Sequence, residues 1–122
     1  MPSEANMKAV LQAYLDHFNA GDADGLVSLF TDDAVVEDPV GAPAHAGKAA
    51  IKAFYVDAMK NGAQLSLSAP MRGSHGSAAA MAFEARIGTL TVRIIDVMTF
   101  DEAGKVTSMK AYFGPEDFIQ GS

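Results

Sequence analysis

The sequence predicts an α+β domain, with three helices in the N-terminal half packed on the concave face of a curved, mostly antiparallel sheet. Three observations carry that prediction. Apolar residues recur at helical spacing as far as Met59 and at alternate positions from Gln64 onward. Turn signals at Asn61-Gly62, Gly88-Thr89 and Asp101-Glu102-Ala103-Gly104 cut the second half into strand-length pieces. A chain of 122 residues suits one core, so residues 1–122 are read as a single domain without internal repeats. A helix layer over a strongly curved sheet forms a cone open at one end, a natural apolar pocket.

The elements follow in order. Ser3 is a candidate N-cap, with Glu4 well placed in the first turn of a helix. Met7, Val10, Leu11, Tyr14, Leu15 and Phe18 form its apolar stripe, and Gly21 ends it. Asp22 can cap a short second helix carrying Leu26, Val27, Leu29 and Phe30. Ala34 to Asp38 reads as a short strand closed by Pro39. A loop rich in Gly, Pro and Ala leads to a third helix from Lys48 to Met59, with Ile51, Phe54, Tyr55, Ala58 and Met59 on its apolar side. Leu65, Leu67 and Ala69 alternate with serines in the next strand. Met81, Phe83, Ala85 and Ile87 alternate with Ala82, Glu84 and Arg86 in the one after. A tight hairpin at Gly88-Thr89 leads into Val92–Phe100, and the last strand runs from Lys105 to Phe113.

Composition narrows the function. The net charge of −6 disfavours nucleic acid and anionic membrane surfaces, because both need clustered Lys and Arg. No apolar run reaches membrane-spanning length and no signal-peptide core is present, so a cytoplasmic location is expected. Without cysteine, disulfide and thiolate chemistry are excluded. His17, His45 and His75 show no metal-ligand spacing, and no nucleophile elbow or phosphate-binding glycine loop occurs. No metal or cofactor is expected.

Asp96 is the most informative residue. Alternation along its strand puts Val92, Ile94, Asp96, Met98 and Phe100 on one face, so a lone carboxyl points the same way as four apolar side chains. An unpaired carboxylate is costly to bury, and such a group keeps its proton. A protonated Asp can donate a hydrogen bond to a substrate oxygen that gains negative charge. The plainer alternative is a salt-bridged structural Asp at a sheet edge. Read singly, Tyr14 and Tyr55 are core tyrosines and Asp38 is a turn residue before proline. The methionines at 59, 71, 81, 98 and 109 suit either core gaps or a pocket for a flat, rigid ligand.

Together these segments resemble the bacterial Δ5-3-ketosteroid isomerases, which have the cone-shaped fold of the nuclear-transport-factor-2-like, or SnoaL-like, superfamily. The resemblance runs from Met7 to about Phe118. It is carried by Tyr14 in its helix, Ala20-Gly21-Asp22, Phe30-Thr31-Asp32-Asp33-Ala34, Val36-Glu37-Asp38-Pro39-Val40-Gly41, Ala53-Phe54-Tyr55, Ile95-Asp96-Val97-Met98-Thr99-Phe100 and Ser108-Met109-Lys110-Ala111-Tyr112-Phe113. It implies a steroid Delta-isomerase that needs no cofactor and acts as a homodimer. Asp38 matches the general base, Tyr14 and Asp96 match two oxyanion donors, and Tyr55 matches a tyrosine bonded to the catalytic phenol. Phe30 stands where some members have a third tyrosine, so no longer phenol chain is expected. Phe83 and Phe113 match pocket positions, and Phe54, Met81, Met98 and Met109 join them as expected substrate-binding residues. The Phe83–Asp96 segment is a few residues shorter than in the best-known members. The same cone could instead serve an apolar-ligand binder, a related lyase or hydrolase, or a dimerisation module with a filled interior.

Overall fold

The computed structural model describes residues 2–121. Helix α1 spans Glu4–Asn19. Its first turn is closed by the Ser3 side chain, which accepts from the Asn6 N–H at 3.0 Å. At the other end Gly21 takes a positive φ of 69°, which only glycine adopts without strain. Helix α2, Ala23–Val27, starts where Asp22 accepts from the Gly25 N–H at 2.9 Å. Helix α3 is Lys48–Met59. The strands are β1 Phe30–Glu37, β2 His45–Ala46, β3 Gln64–Leu67, β4 Ala78–Ile87, β5 Leu90–Phe100, β6 Val106–Tyr112 and β7 Phe118–Gln120.

They form one seven-stranded sheet in the order β2-β1-β6-β5-β4-β3, with β7 also paired to β5. All pairings are antiparallel except β1 with β6. Register breaks between Phe30 and Val35 and between Thr99 and Phe100 add the local bends that curve such a sheet. β6 and β7 follow one another along β5: β6 covers Ile95–Phe100 and β7 covers Leu90–Val92. Ile87 pairs with Leu90, so the β4–β5 hairpin turns on Gly88-Thr89, with Gly88 at φ 60°.

The helices cover one sheet face. Their buried stripes (Met7, Leu11, Tyr14, Leu15 and Phe18 on α1, Ile51 and Tyr55 on α3) meet Met81, Phe83, Met98, Met109 and Ala111 from the strands. The Asn19 side chain ties α1 to β3, donating to the Leu65 carbonyl at 2.9 Å and accepting from its N–H at 2.7 Å. No helix is long and apolar enough to cross a membrane among the described residues.

The fold departs from the sequence expectation at β1, in the loop before α3, after β6 and at Leu67. β1 starts at Phe30 rather than Ala34, because Phe30 pairs with Val106 across the parallel β1–β6 ladder. The loop before α3 contains β2, and a 3₁₀ turn at Pro115–Asp117 leads into β7. Leu67 is 40% exposed, because β3 is the edge strand and its far end leaves the helix layer.

Candidate active site

Strand register brings the two acids to one place. Asp38 follows the last residue of β1, where Glu37 pairs with Lys110 and the Val40 N–H bonds the Ala111 carbonyl at 2.8 Å. On the other side of β6, Asp96 pairs with Ala111. The backbones carrying Asp38 and Asp96 therefore lie two strand spacings apart, about 10 Å. Ala111, 1% exposed, lies on the strand between them.

Asp96 is 1% exposed, and neither carboxyl oxygen has a hydrogen-bond partner among the described residues. Its cross-strand partners are Met81 and Ala111, and Ile94 and Met98 flank it on the same face of β5. This apolar surround disfavours the charged form, and the neighbouring Asp38 charge adds to the effect, so the Asp96 pKa is raised well above the carboxylate range. Burial pushes Asp38 up from 3.8 to about 6. The two carboxyls are thus held apart in proton affinity, with Asp96 the more strongly driven toward its protonated form.

The two phenols come from the helices. The Tyr14 and Tyr55 hydroxyls are 2.9 Å apart, and their rings meet edge to face with centroids 5.8 Å apart. Phe18, Phe30 and Phe54 pack around the Tyr55 ring, at centroid distances of 6.4, 6.4 and 5.0 Å. This aromatic cage packs the Tyr55 ring, whose hydroxyl meets that of Tyr14. Both phenols have raised pKa values. Burial is the main cause for each. For Tyr14 the next is its coupling to Tyr55, followed by the charges of Asp96 and Asp38; for Tyr55 it is the charge of Asp38, then that of Asp96. Phe30, buried against Tyr55, offers no hydroxyl to extend the chain.

These groups border a cavity of about 230 Å³ between α1, α3 and the sheet, lined by Tyr14, Asp38 and Tyr55 with Phe18, Phe54, Phe83, Ile94 and Phe113. Among the expected pocket residues, Phe54, Phe83 and Phe113 do line it. Met81, Met98 and Met109 do not: they are fully buried and wall in Asp96 and the sheet centre. Their strands run beneath the helix layer there, so facing the helices means facing the core rather than open space. Asp96 lies behind the cavity wall in the same way. Asn61, Ile87, Val92 and Phe118 also line the cavity and were not anticipated. Asn61 was legible only as a turn residue, and Phe118 lies beyond the last strand that the alternation marks.

A larger concavity of about 680 Å³ shares Phe83, Ile94 and Phe113 with the first and extends over outward-facing residues of the sheet. Ala82, Glu84, Arg93, Ile95 and Tyr112 line it, and they alternate with the helix-facing residues of their strands. It holds none of Tyr14, Asp38, Tyr55 and Asp96, whereas the smaller cavity is lined by the first three.

Residues 11–109 match the family model of the SnoaL-like domain. A steroid Delta-isomerase of Nocardioides simplex is 38% identical, with 94% of this chain and 95% of that protein covered. Epoxide hydrolase LasB of Streptomyces lasalocidi is 26% identical over 96% of this chain, which spans only 44% of that protein. Among solved structures, SalBIII, an epoxide hydrolase/cyclase-like enzyme with a role in pyran ring formation in the polyether salinomycin, superposes with a TM-score of 0.90. It is 26% identical, with 98% of this chain and 99% of that one covered.

Proposed function

The chain belongs to the SnoaL-like family and has its α+β fold, and from that premise we propose that it is a steroid Delta-isomerase. The observation that carries this reading is Asp96: a fully buried carboxyl without a partner, beside a buried phenol and a second, partly ionised carboxyl. The similarity to the Nocardioides simplex steroid Delta-isomerase over nearly the whole chain supports it.

The substrate is a 3-ketosteroid with an isolated C5–C6 double bond. Asp38 removes a proton from C4, and the electron pair moves through C3 onto the carbonyl oxygen to give a dienolate. Tyr14 donates a hydrogen bond to that oxygen from the cavity wall, and protonated Asp96, buried behind that wall, donates a second once the bound substrate opens the wall in front of it. The contact between the Tyr14 and Tyr55 hydroxyls can run either way; with substrate bound, Tyr55 donates to Tyr14, which leaves the Tyr14 proton directed at the substrate. Asp38 then returns the proton at C6, giving the conjugated C4–C5 enone. One base works twice, so no proton is gained or lost and no cofactor takes part. Donors held in place beforehand, in a site of low dielectric, stabilise the dienolate more than water can.

The single-domain protein acts as a homodimer in this reading. Val40, Ile95 and Tyr112, the last two 49% and 46% exposed, surround the outer concavity and supply an apolar face for a second copy. Epoxide opening is the second reading, favoured by the paired hydrogen-bond donors above a carboxylate and by the likeness to LasB and SalBIII. The deciding experiment follows conjugated-enone absorbance after adding 5-androstene-3,17-dione to the protein, with Asp38→Asn alongside. Conversion that disappears in the variant supports the isomerase. No conversion above buffer rejects it and turns the search to epoxide substrates.

A further inference from the structure

We propose that Asn61 recognises the end of the substrate remote from the reacting carbonyl, donating a hydrogen bond to an oxygen carried there. Taking the ligand to be a flat polycyclic ketone rests on the isomerase reading.

The lining of the cavity contains four side chains able to form strong hydrogen bonds: Tyr14, Asp38, Tyr55 and Asn61. The first three belong to the reactive cluster. Asn61 stands apart from them. Helix α3 carries Tyr55 near its end, and Asn61 lies six residues further on, two past the helix terminus. At 1.5 Å per residue the helical stretch from Tyr55 to Met59 alone covers about 6 Å along the axis, and Asn61 lies beyond it. Asn61 is exposed, as befits the mouth of the cavity, where Phe118 is 48% exposed.

The carboxamide is oriented before any ligand arrives. Its Oδ1 accepts from the Ala63 N–H at 3.0 Å. A backbone N–H needs an acceptor, so the oxygen must face Ala63 and the NH₂ group must face elsewhere. Among the described residues Nδ2 has no hydrogen-bond partner. A donor with a fixed orientation therefore stands at the rim of an otherwise apolar mouth. The cavity volume agrees. About 230 Å³ is less than the roughly 300–1,000 Å³ of sites that enclose a drug-sized ligand, so a tetracyclic substrate extends to the mouth. The class favoured is a 3-ketosteroid with a carbonyl or other acceptor at the opposite end.

The test compares 4-androstene-3,17-dione with 4-androsten-3-one, which lacks the distal oxygen. Dissociation constants for both are measured by calorimetry on the wild type, Asn61→Asp and Asn61→Leu, and isomerase turnover of 5-androstene-3,17-dione is read on the same preparations. Asn61→Asp keeps an oxygen for the Ala63 N–H but replaces the donor with a carboxylate, so the turn survives while recognition is lost. Asn61→Leu provides a second removal of the donor should the Asp variant fold poorly. The expected result is a wild-type preference for the dione that falls by roughly 2- to 10-fold in both variants. An unchanged preference in wild type and variants, with turnover intact, overturns the role of Asn61 and spares the isomerase. A preference that falls in the variants, without turnover by the wild type, supports Asn61 and rejects the isomerase. Failure of the wild type to bind either steroid overturns both.

Discussion

Replacing Asp38 by Asn should stabilise the protein at neutral pH while abolishing its activity. The reason is the proton affinity of the carboxyl. Burial moves its pKa from 3.8 to about 6 in the folded state. A folded state that holds its proton more tightly than the unfolded chain gains stability below pH 4, and loses that gain as pH rises through 6. Above pH 6 the folded protein carries a partly buried carboxylate that an amide does not impose. The difference between 3.8 and about 6 corresponds to about 3 kcal/mol. Solvent at the cavity side screens part of this, so 3 kcal/mol is the upper bound. The assay is urea unfolding of both proteins at intervals from pH 4 to pH 8, followed by far-ultraviolet circular dichroism and extrapolated linearly. The two stabilities should be similar at pH 4, diverge between pH 4 and 6, and stay a constant gap of about 1–3 kcal/mol apart above, with the Asp38→Asn variant the more stable. A gap that does not change with pH, or a less stable variant at pH 8, would show that Asp38 is not held at a desolvation cost and would remove the physical basis for its role as base.

Activity should follow the same titration in the opposite sense: kcat/KM rises with pH through a midpoint at about 6 and levels off roughly one unit above it, because the base must be ionised, and a pH-rate profile from 4.5 to 8 reads it directly. Tyr14→Phe should lower kcat by roughly 100- to 1,000-fold with little change in KM, as expected for a donor that acts mainly on the dienolate; steady-state kinetics separates the two constants. Asp96→Asn should retain more activity than Asp96→Leu, since the amide still offers an N–H, whereas equal losses in the two would show that the donor is not what matters at this position. Ile95→Lys should shift the species measured by light scattering from dimer to monomer, and a wild type that is already monomeric refutes the proposed contact.

Much of the site was readable because period-two alternation states which side of a strand a residue faces. Asp96 lay among Val92, Ile94, Met98 and Phe100 in the sequence, and its burial follows from that pattern. Helix ends were equally legible, since Ser3 and Asp22 cap by local chemistry. Alternation does not say whether the facing layer is solid or hollow at a given point. That is why Met81, Met98 and Met109 share a face with Phe83 yet lie in the core. β2 and β7 were missed because two- and three-residue strands have no period of their own and exist through their partners, Val35–Val36 for one and Leu90–Val92 for the other. Asn61 was missed because a turn residue looks the same in sequence whether its amide meets solvent or a cavity.

The backbone alone does not decide the chemistry. A TM-score of 0.90 to an epoxide hydrolase/cyclase-like enzyme at 26% identity means that the cone is shared while most side chains differ. The interior makes the choice, and here graded burial orders its acids. Tyr14 and Asp96 are both driven far toward their protonated forms, mainly by desolvation. Both are suited to donate hydrogen bonds rather than to give up their protons. Asp38, nearer the cavity, rests at about 6 and exchanges its proton most readily. Hydrolysis would need this base to hold a water molecule, whereas Phe54, Phe83 and Phe113 line the cavity with it. Isomerisation needs no water: a proton leaves one carbon, waits on the group best able to carry it, and returns to another carbon of the same molecule. In the proposed isomerisation, this order of proton affinities suits Asp38 to carry the proton and suits Tyr14 and Asp96 to donate to the oxygen that takes the charge.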